Sequence, residues 1–242
     1  GKVVKKQGSV WGAIKEGAEV VTAGRNVMDG GEFSRHVLTE GRVQAAADDD
    51  LARARKIALA NGATETENTI PKIIRANPFG PLNSMLGPEG QRWAPIHGLL
   101  PHSKAVACYK AIEALFEQHR AEMDALGIFT GTLVSAVSGS GMIIEPCLYW
   151  PDAANPVHRE TVENGHLAKL PKLAANPAAW AMTQKMKQAL VDLFYEQGAV
   201  HFQIGRTYRY RDSLDPAADA LLLDLKKSLD PTRVMNPGSL GL

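Results

Sequence analysis

The chain has 242 residues, 45 % of them hydrophobic, and 27 basic against 26 acidic residues give a formal net charge of +1. That length suits one large α+β domain or two small ones sharing a core, and the even charge excludes the strong basic excess of a nucleic-acid protein. No apolar run approaches the ~18 residues of a membrane span, and the first residues lack the apolar core of a signal peptide, so a soluble, cytoplasmic protein with no membrane span is expected.

In chain order, residues 1–35 read as a weakly patterned connecting segment, with a short helix opening at Val10-Trp11-Gly12-Ala13-Ile14. A strand is expected near His36-Val37-Leu38-Thr39-Glu40. The helix after it carries Asp48-Asp49-Asp50 at its N-terminus and an apolar stripe of Leu51, Ala54, Ile57 and Ala58, ending at Gly62. Residues 68–92 hold Pro71, Pro78, Gly80, Pro81, Gly87, Pro88 and Gly90, which mark a long irregular connection.

The middle of the chain has the clearest periodicity. An extended piece from Trp93 to Leu100 leads to Ser103, a candidate N-cap. Ala105, Cys108, Tyr109, Ile112, Leu115, Phe116, His119, Met123 and Leu126 then recur at helical spacing up to Gly127. Two β-rich runs, Ile128–Val137 and Met142–Trp150, flank a Ser/Gly turn and predict a hairpin. Asn176-Pro177 open a further helix lined by Met182, Met186, Leu190, Leu193 and Phe194 and closed by Gly198, and a strand follows over Val200–Ile204. The predicted fold class is α+β: a β-α-β-β-α-β, ferredoxin-like unit on an antiparallel sheet with helices on one face. Residues 36–61 read as the remnant of a second such unit. Asp215-Pro216 then cap a helix with Leu221, Leu222, Leu225 and Leu229, ahead of a tail. The expected division is 1–35 connecting segment, 36–212 ferredoxin-like domain, and 213–242 C-terminal helix and tail.

Self-contained catalytic motifs are missing: there is no Gly-rich dinucleotide or phosphate loop, no nucleophile elbow and no H-E-x-x-H. Cys108 and Cys147 form no C-x-x-C pair and no zinc spacing, and they read as buried thiols of a reducing compartment. His97 and His102 lie in an extended stretch where they do not converge, so no metal site is expected.

Three stretches carry a resemblance: Arg92-Trp93-Ala94-Pro95 running to Leu100-Pro101, Ile144-Glu145-Pro146-Cys147-Leu148-Tyr149-Trp150-Pro151-Asp152, and the C-terminal end. That end reads Gly205-Arg206-Thr207-Tyr208-Arg209, then Leu225–Pro231, then Val234-Met235-Asn236-Pro237-Gly238. In their order and spacing, from about residue 36 onward, they resemble the C-terminal (cap, substrate-binding) domain of the FAD-linked oxidases, the vanillyl-alcohol oxidase, p-cresol methylhydroxylase and D-lactate dehydrogenase superfamily. The resemblance implies a cap that serves hydride transfer from a small hydroxylated substrate, phenol-type or alcohol, to FAD. It implies a partner, an N-terminal FAD-binding domain or subunit, from which this chain is separated, so that alone it is inactive. By the same resemblance Tyr208 and Arg209 are the catalytic pair, with Arg206, Tyr210, Glu145 and His97 binding substrate. Arg92, Trp93, Asn236 and Gly238 then face the cofactor, and because Arg92 and Trp93 cannot bond to the flavin, non-covalent FAD is implied.

The run from Arg206 to Arg211 suits that role, because a substrate oxyanion needs cationic donors. If extended, Arg206, Tyr208 and Tyr210 share one face; a solvated basic edge is the competing reading. Glu145 reads either as a base or as an exposed or arginine-paired carboxylate, His158-Arg159 as a solvated loop or a substrate contact, and His201 as a satisfied core histidine. The histidine motifs of the 2-hydroxy-acid branch are absent: Leu133-Val134-Ser135-Ala136-Val137-Ser138-Gly139 stands in the hairpin and Glu196-Gln197-Gly198-Ala199-Val200 before the last strand. A D-2-hydroxy-acid (lactate or glycolate) dehydrogenase cap is the first alternative, and a ferredoxin-like non-catalytic binding or assembly module the second. An exposed apolar patch near Trp93 and the tail is expected, and with it a homodimer.

Overall fold

The computed structural model describes residues 33–66, 75–76, 79–137, 139–203 and 205–242. The chain forms two compact units, Gly1–Gly80 and Pro81–Leu242. The helix expected at Val10–Ile14 and most of the connecting segment lie outside the described residues.

In the first unit, α1 spans Gln44–Ala60. No strand forms at His36–Glu40, whose residues take no regular structure. An isolated strand has no ladder to satisfy its backbone groups, and here the Thr39 hydroxyl donates instead to the Ala47 carbonyl at 2.9 Å. The helix starts earlier than predicted, so Asp48–Asp50 fall behind its first turn, which carries no acid. None of its side chains is buried; Leu51 and Ile57 of the expected stripe are exposed.

The second unit is α+β and is built on a four-stranded antiparallel sheet. Its strands are β1 (Arg92–Pro95), β2 (Gly98–Pro101), β3 (Phe129–Val137) and β4 (Gly141–Trp150). β3 and β4 form the predicted hairpin, registered from Phe129 opposite Tyr149 to Val137 opposite Gly141. β1 and β2 both pair with the other edge of β4, Arg92 opposite Trp150 and Gly98 opposite Ile144. Two residues separate Pro95 from Gly98, and two separate Ile144 from Cys147, so the register passes through without a bulge. The ladder breaks where β4 offers Pro146, which has no N–H to donate, although its carbonyl still accepts from Ile96 at 3.0 Å. The strand predicted over Val200–Ile204 is reduced to one antiparallel bridge, Leu99 to Val200; Ile204 lies outside the described residues.

Alternation along each strand sends one set of side chains to the helices. Ala94, Ile96, Leu100, Ile144, Leu148 and Trp150 pack with α2 (His102–Gln118), α3 (Arg120–Ala125) and α6 (Pro177–Glu196) through Cys108, Ile112, Phe116, Met123, Met186, Leu190 and Phe194. The helix predicted after Ser103 is thus two, broken at His119, and it starts two residues early, with Pro101 and not Ser103 at its N-cap and no side-chain cap. Gly98 allows the close approach of α6, since a Cβ there would stand 2.3 Å from Cδ1 of Phe194. Asp152, buried after β4, accepts from Arg92 at 2.9 Å, the Trp150 indole at 3.2 Å and the Asn176 amide at 2.9 Å. It ties β1, β4 and the start of α6 together. Asn176 in turn caps α6 by accepting from the Ala179 amide at 3.0 Å.

Two short helices, α4 (Pro156–Thr161) and α5 (Asn164–Leu167), precede α6. His158 is buried, accepting from the Asn155 amide in a capping box, so it belongs to a helix start and not to a solvated loop. After a 3-10 turn at Arg211–Ser213, α7 runs over Pro216–Leu229, capped by Asp215 as predicted. Its leucine stripe is not buried: Leu221, Leu225 and Leu229 are all exposed. The tail is fixed by polar groups. Asp230 accepts from the Val234 and Met235 amides at 3.0 Å each and from Lys226 Nζ at 2.6 Å. The Leu240 amide donates to the Gly205 carbonyl at 2.7 Å, which returns the tail to the 205–211 segment.

Candidate functional site

On the sheet face opposite the helices, β1, β2 and the two residues between them present Trp93, Pro95, His97 and Leu99, and β4 presents Ile143, Glu145, Cys147 and Tyr149. The segment after Val200 crosses this face at His97, which is 1 % exposed. Tyr208 places its hydroxyl 2.7 Å from His97 Nδ1 and accepts from the His97 amide at 3.0 Å. His201 Nδ1 lies 2.7 Å from the His97 carbonyl, and the Phe202 amide donates to His97 Nε2 at 3.3 Å. The His201 and Tyr208 rings stack with centroids 4.0 Å apart, and the Phe202 ring lies 4.2 Å from that of His97.

These contacts fix tautomers. A backbone N–H only donates, so His97 Nε2 is an acceptor and the neutral ring carries its proton on Nδ1. Nδ1–H then donates to the Tyr208 oxygen. With two donors on that oxygen, the phenol's own proton is free for a ligand. Burial holds His97 below the ordinary histidine range, and the neighbouring His201 adds to this. Burial also lowers His201 and raises Tyr208. Glu145 is half-buried, raised by burial, and close enough to raise Tyr208 further. Its carboxylate has no hydrogen bond or ion pair to another described residue, so the arginine-pairing reading of Glu145 does not hold within them.

Beside this cluster is a cavity of about 150 Å³ lined by His201, Gln203, Tyr208, Tyr210 and Ser213, with Val200, Gly205 and Leu214. It is smaller than the ~300–1,000 Å³ of most ligand clefts. Cys108 is inert in this chemistry: it is buried in the core, where its thiol is pushed up to about 11. No three His, Cys, Asp or Glu groups converge for a metal among the described residues.

The structure thus brings together Tyr208, His97, Tyr210 and Glu145 and leaves the other sequence candidates elsewhere. Residues 205–210 are bent, not extended, so alternation does not align Arg206, Tyr208 and Tyr210 on one face. Each arginine of the run is engaged. Arg206 donates to the Pro237 carbonyl. Arg209 pairs with Asp212 at 2.8 Å and Asp192 at 3.2 Å and lies 4.0 Å over the Tyr195 ring. Arg211 pairs with Asp219 at 2.6 Å. None lines the cavity. Of the cofactor candidates, Arg92 is paired with Asp152, and Trp93 is half-buried with an indole N–H that finds no hydrogen-bond partner among the described residues. Asn236 and Gly238 take left-handed backbone conformations in the exposed tail, Gly238 packed 3.6 Å from the Arg206 guanidinium through the position of a would-be Cβ. The sequence marked His201 only as a satisfied core histidine and did not point to Gln203, Ser213 or Leu214. The signal in the chain was a histidine right after the α6 stop, and only the Leu99–Val200 bridge turns it toward His97.

No protein-family model matches the chain, and no curated protein matches it. Among the described residues no helix is long and apolar enough to cross a membrane.

Proposed function

We propose that this chain is the substrate-binding cap of an FAD-dependent oxidoreductase acting on a small hydroxylated substrate, a phenol or an alcohol. The observation that carries it is the Tyr208 phenol, fixed by two donors from His97 at the wall of a small cavity with its own proton to give. The strand pairings support the cap reading. Val200 meets β2, β1 and β2 share one edge of β4, and β3 takes the other, an order compatible with a ferredoxin-like split β-α-β unit. The return of the tail to Gly205 and Arg206 supports it too, because it brings together in space the two ends of the C-terminal stretch that carries the resemblance.

Flavin supplies the hydride acceptor in this reading, and the resemblance assigns it to a separate FAD-binding domain or subunit. The residues of this chain bind and orient. Tyr208 donates to the substrate oxygen, Tyr210 and Leu214 wall the cavity, and His97 holds the Tyr208 hydroxyl in place. A carboxylate substrate fits less well, because Arg206, Arg209 and Arg211 are all engaged outside the cavity. A non-catalytic binding module is the second reading, favoured by the uncovered sheet face where Phe129 stacks on Tyr149 at 4.9 Å.

Ligand-observed NMR on the purified chain with 4-ethylphenol, ethanol and D-lactate tests the proposal. Saturation transfer to 4-ethylphenol or ethanol, weakened about threefold to tenfold by Tyr208→Phe, is expected. Binding of D-lactate alone, or of none of the three, would overturn it.

A further inference from the structure

The ring of His201 lines the cavity, and one of its nitrogens is already committed. Its Nδ1 lies 2.7 Å from the His97 carbonyl oxygen, which accepts and cannot donate. Nδ1 therefore carries the proton, and in the neutral ring Nε2 keeps its lone pair. That lone pair meets no donor among the described residues. The stack on Tyr208 at 4.0 Å and 19° holds the ring plane, so Nε2 cannot swing away without breaking both contacts.

From this arrangement we propose that His201 Nε2 is a fixed hydrogen-bond acceptor of the cavity, placed beside Tyr208, and selects ligands that present a protonated hydroxyl. The inference rests on the reading of the cavity as a substrate site. Tyr208 and His201 then work as a complementary pair: the phenol donates to the ligand oxygen and the imidazole accepts the proton on that oxygen. A neutral alcohol or phenol satisfies both, whereas an ether or a deprotonated oxyanion satisfies only the donor. Because burial disfavours the imidazolium, the accepting form prevails near neutral pH.

Histidine-labelled chain, read by long-range proton–nitrogen spectra, tests this without any cofactor. The expected result is an Nδ1–H tautomer at His201 and an Nε2 shift on adding 4-ethylphenol that its methyl ether, 4-ethylanisole, does not produce. His201→Asn retains the donor to the His97 carbonyl but removes Nε2; it should weaken 4-ethylphenol about threefold to tenfold and leave 4-ethylanisole unchanged. An Nε2–H tautomer, or equal shifts from both ligands, overturns the proposal. If 4-ethylphenol moves Tyr208 and Tyr210 but not His201, this inference fails while the substrate site stands. If it moves none of the three, the site itself fails and the inference with it.

Discussion

The helix-covered face of the sheet and the C-terminal segment are both drawn from amphipathic sequence, yet they are held by different forces. Behind the sheet, Ile96, Ile112, Phe116, Leu148 and Phe194 are almost fully buried, and apolar burial at roughly 25 cal/mol per Å² does the work. In α7 no leucine is buried and most stay exposed, and the segment is tied down by the Arg211–Asp219 pair, the Asp230 turn and the Leu240–Gly205 hydrogen bond. An apolar stripe alone does not make a core; the opposing surface has to be present. The candidate site sits where these regimes meet, with His97 from the sheet and Tyr208 from the C-terminal segment.

The largest test of that contrast is Phe194→Ala, which opens a cavity under Gly98 and should cost about 3–5 kcal/mol in urea unfolding. A loss below about 1 kcal/mol would mean the helix-covered face is not the stabilising one. Tyr208→Phe comes next. It strips the acceptor from two His97 donors and should cost about 1–3 kcal/mol, read from the same unfolding curves.

Acid should act on the junction before it acts on either region. Both histidines are depressed below their ordinary 6.5, so the contribution of the neutral pair is present above that value and is lost as the pH falls through the lower folded values. Histidine ring signals should show the His97–Tyr208–His201 cluster loosening below pH 6.5 while the amides of α2 and α6 stay protected. The smallest effect is expected in the tail. Lys226 and the amides of Val234 and Met235 hold the Asp230 carboxyl below its ordinary 3.8, so that contribution is present above 3.8 and disappears as the pH drops further. Asp230→Asn should speed hydrogen exchange in residues 226–242 without moving the unfolding midpoint of the sheet; a shifted midpoint would join the two regions into one cooperative unit.

Legibility followed locality. The two long helices of the sheet unit, the hairpin and the Asn176 and Asp215 caps are set within a few residues by periodicity and side-chain acceptors, and all were readable in the chain. The predicted strand at His36–Glu40 had the right composition and no neighbour to pair with. In the site, Tyr208, Tyr210 and His97 were singled out through the family resemblance, but the arginines beside them were given a role that depended on an extended backbone. Their true partners, Asp192, Asp212 and Asp219, cannot be picked out from the run itself, because charge spacing along a bent segment does not say which carboxylate comes near.

By itself the sequence determined the α+β class, the presence of the hairpin and the chemistry available at each position, since propensity, capping and alternation are short-range. The tertiary structure alone decided that Pro146 interrupts the ladder opposite Ile96, that a single bridge at Val200 replaces a strand, and that His201 turns its Nδ1–H to His97. Those outcomes depend on which backbone groups meet across a hundred residues of chain, and hydrogen-bond satisfaction at the meeting point is what selects among them.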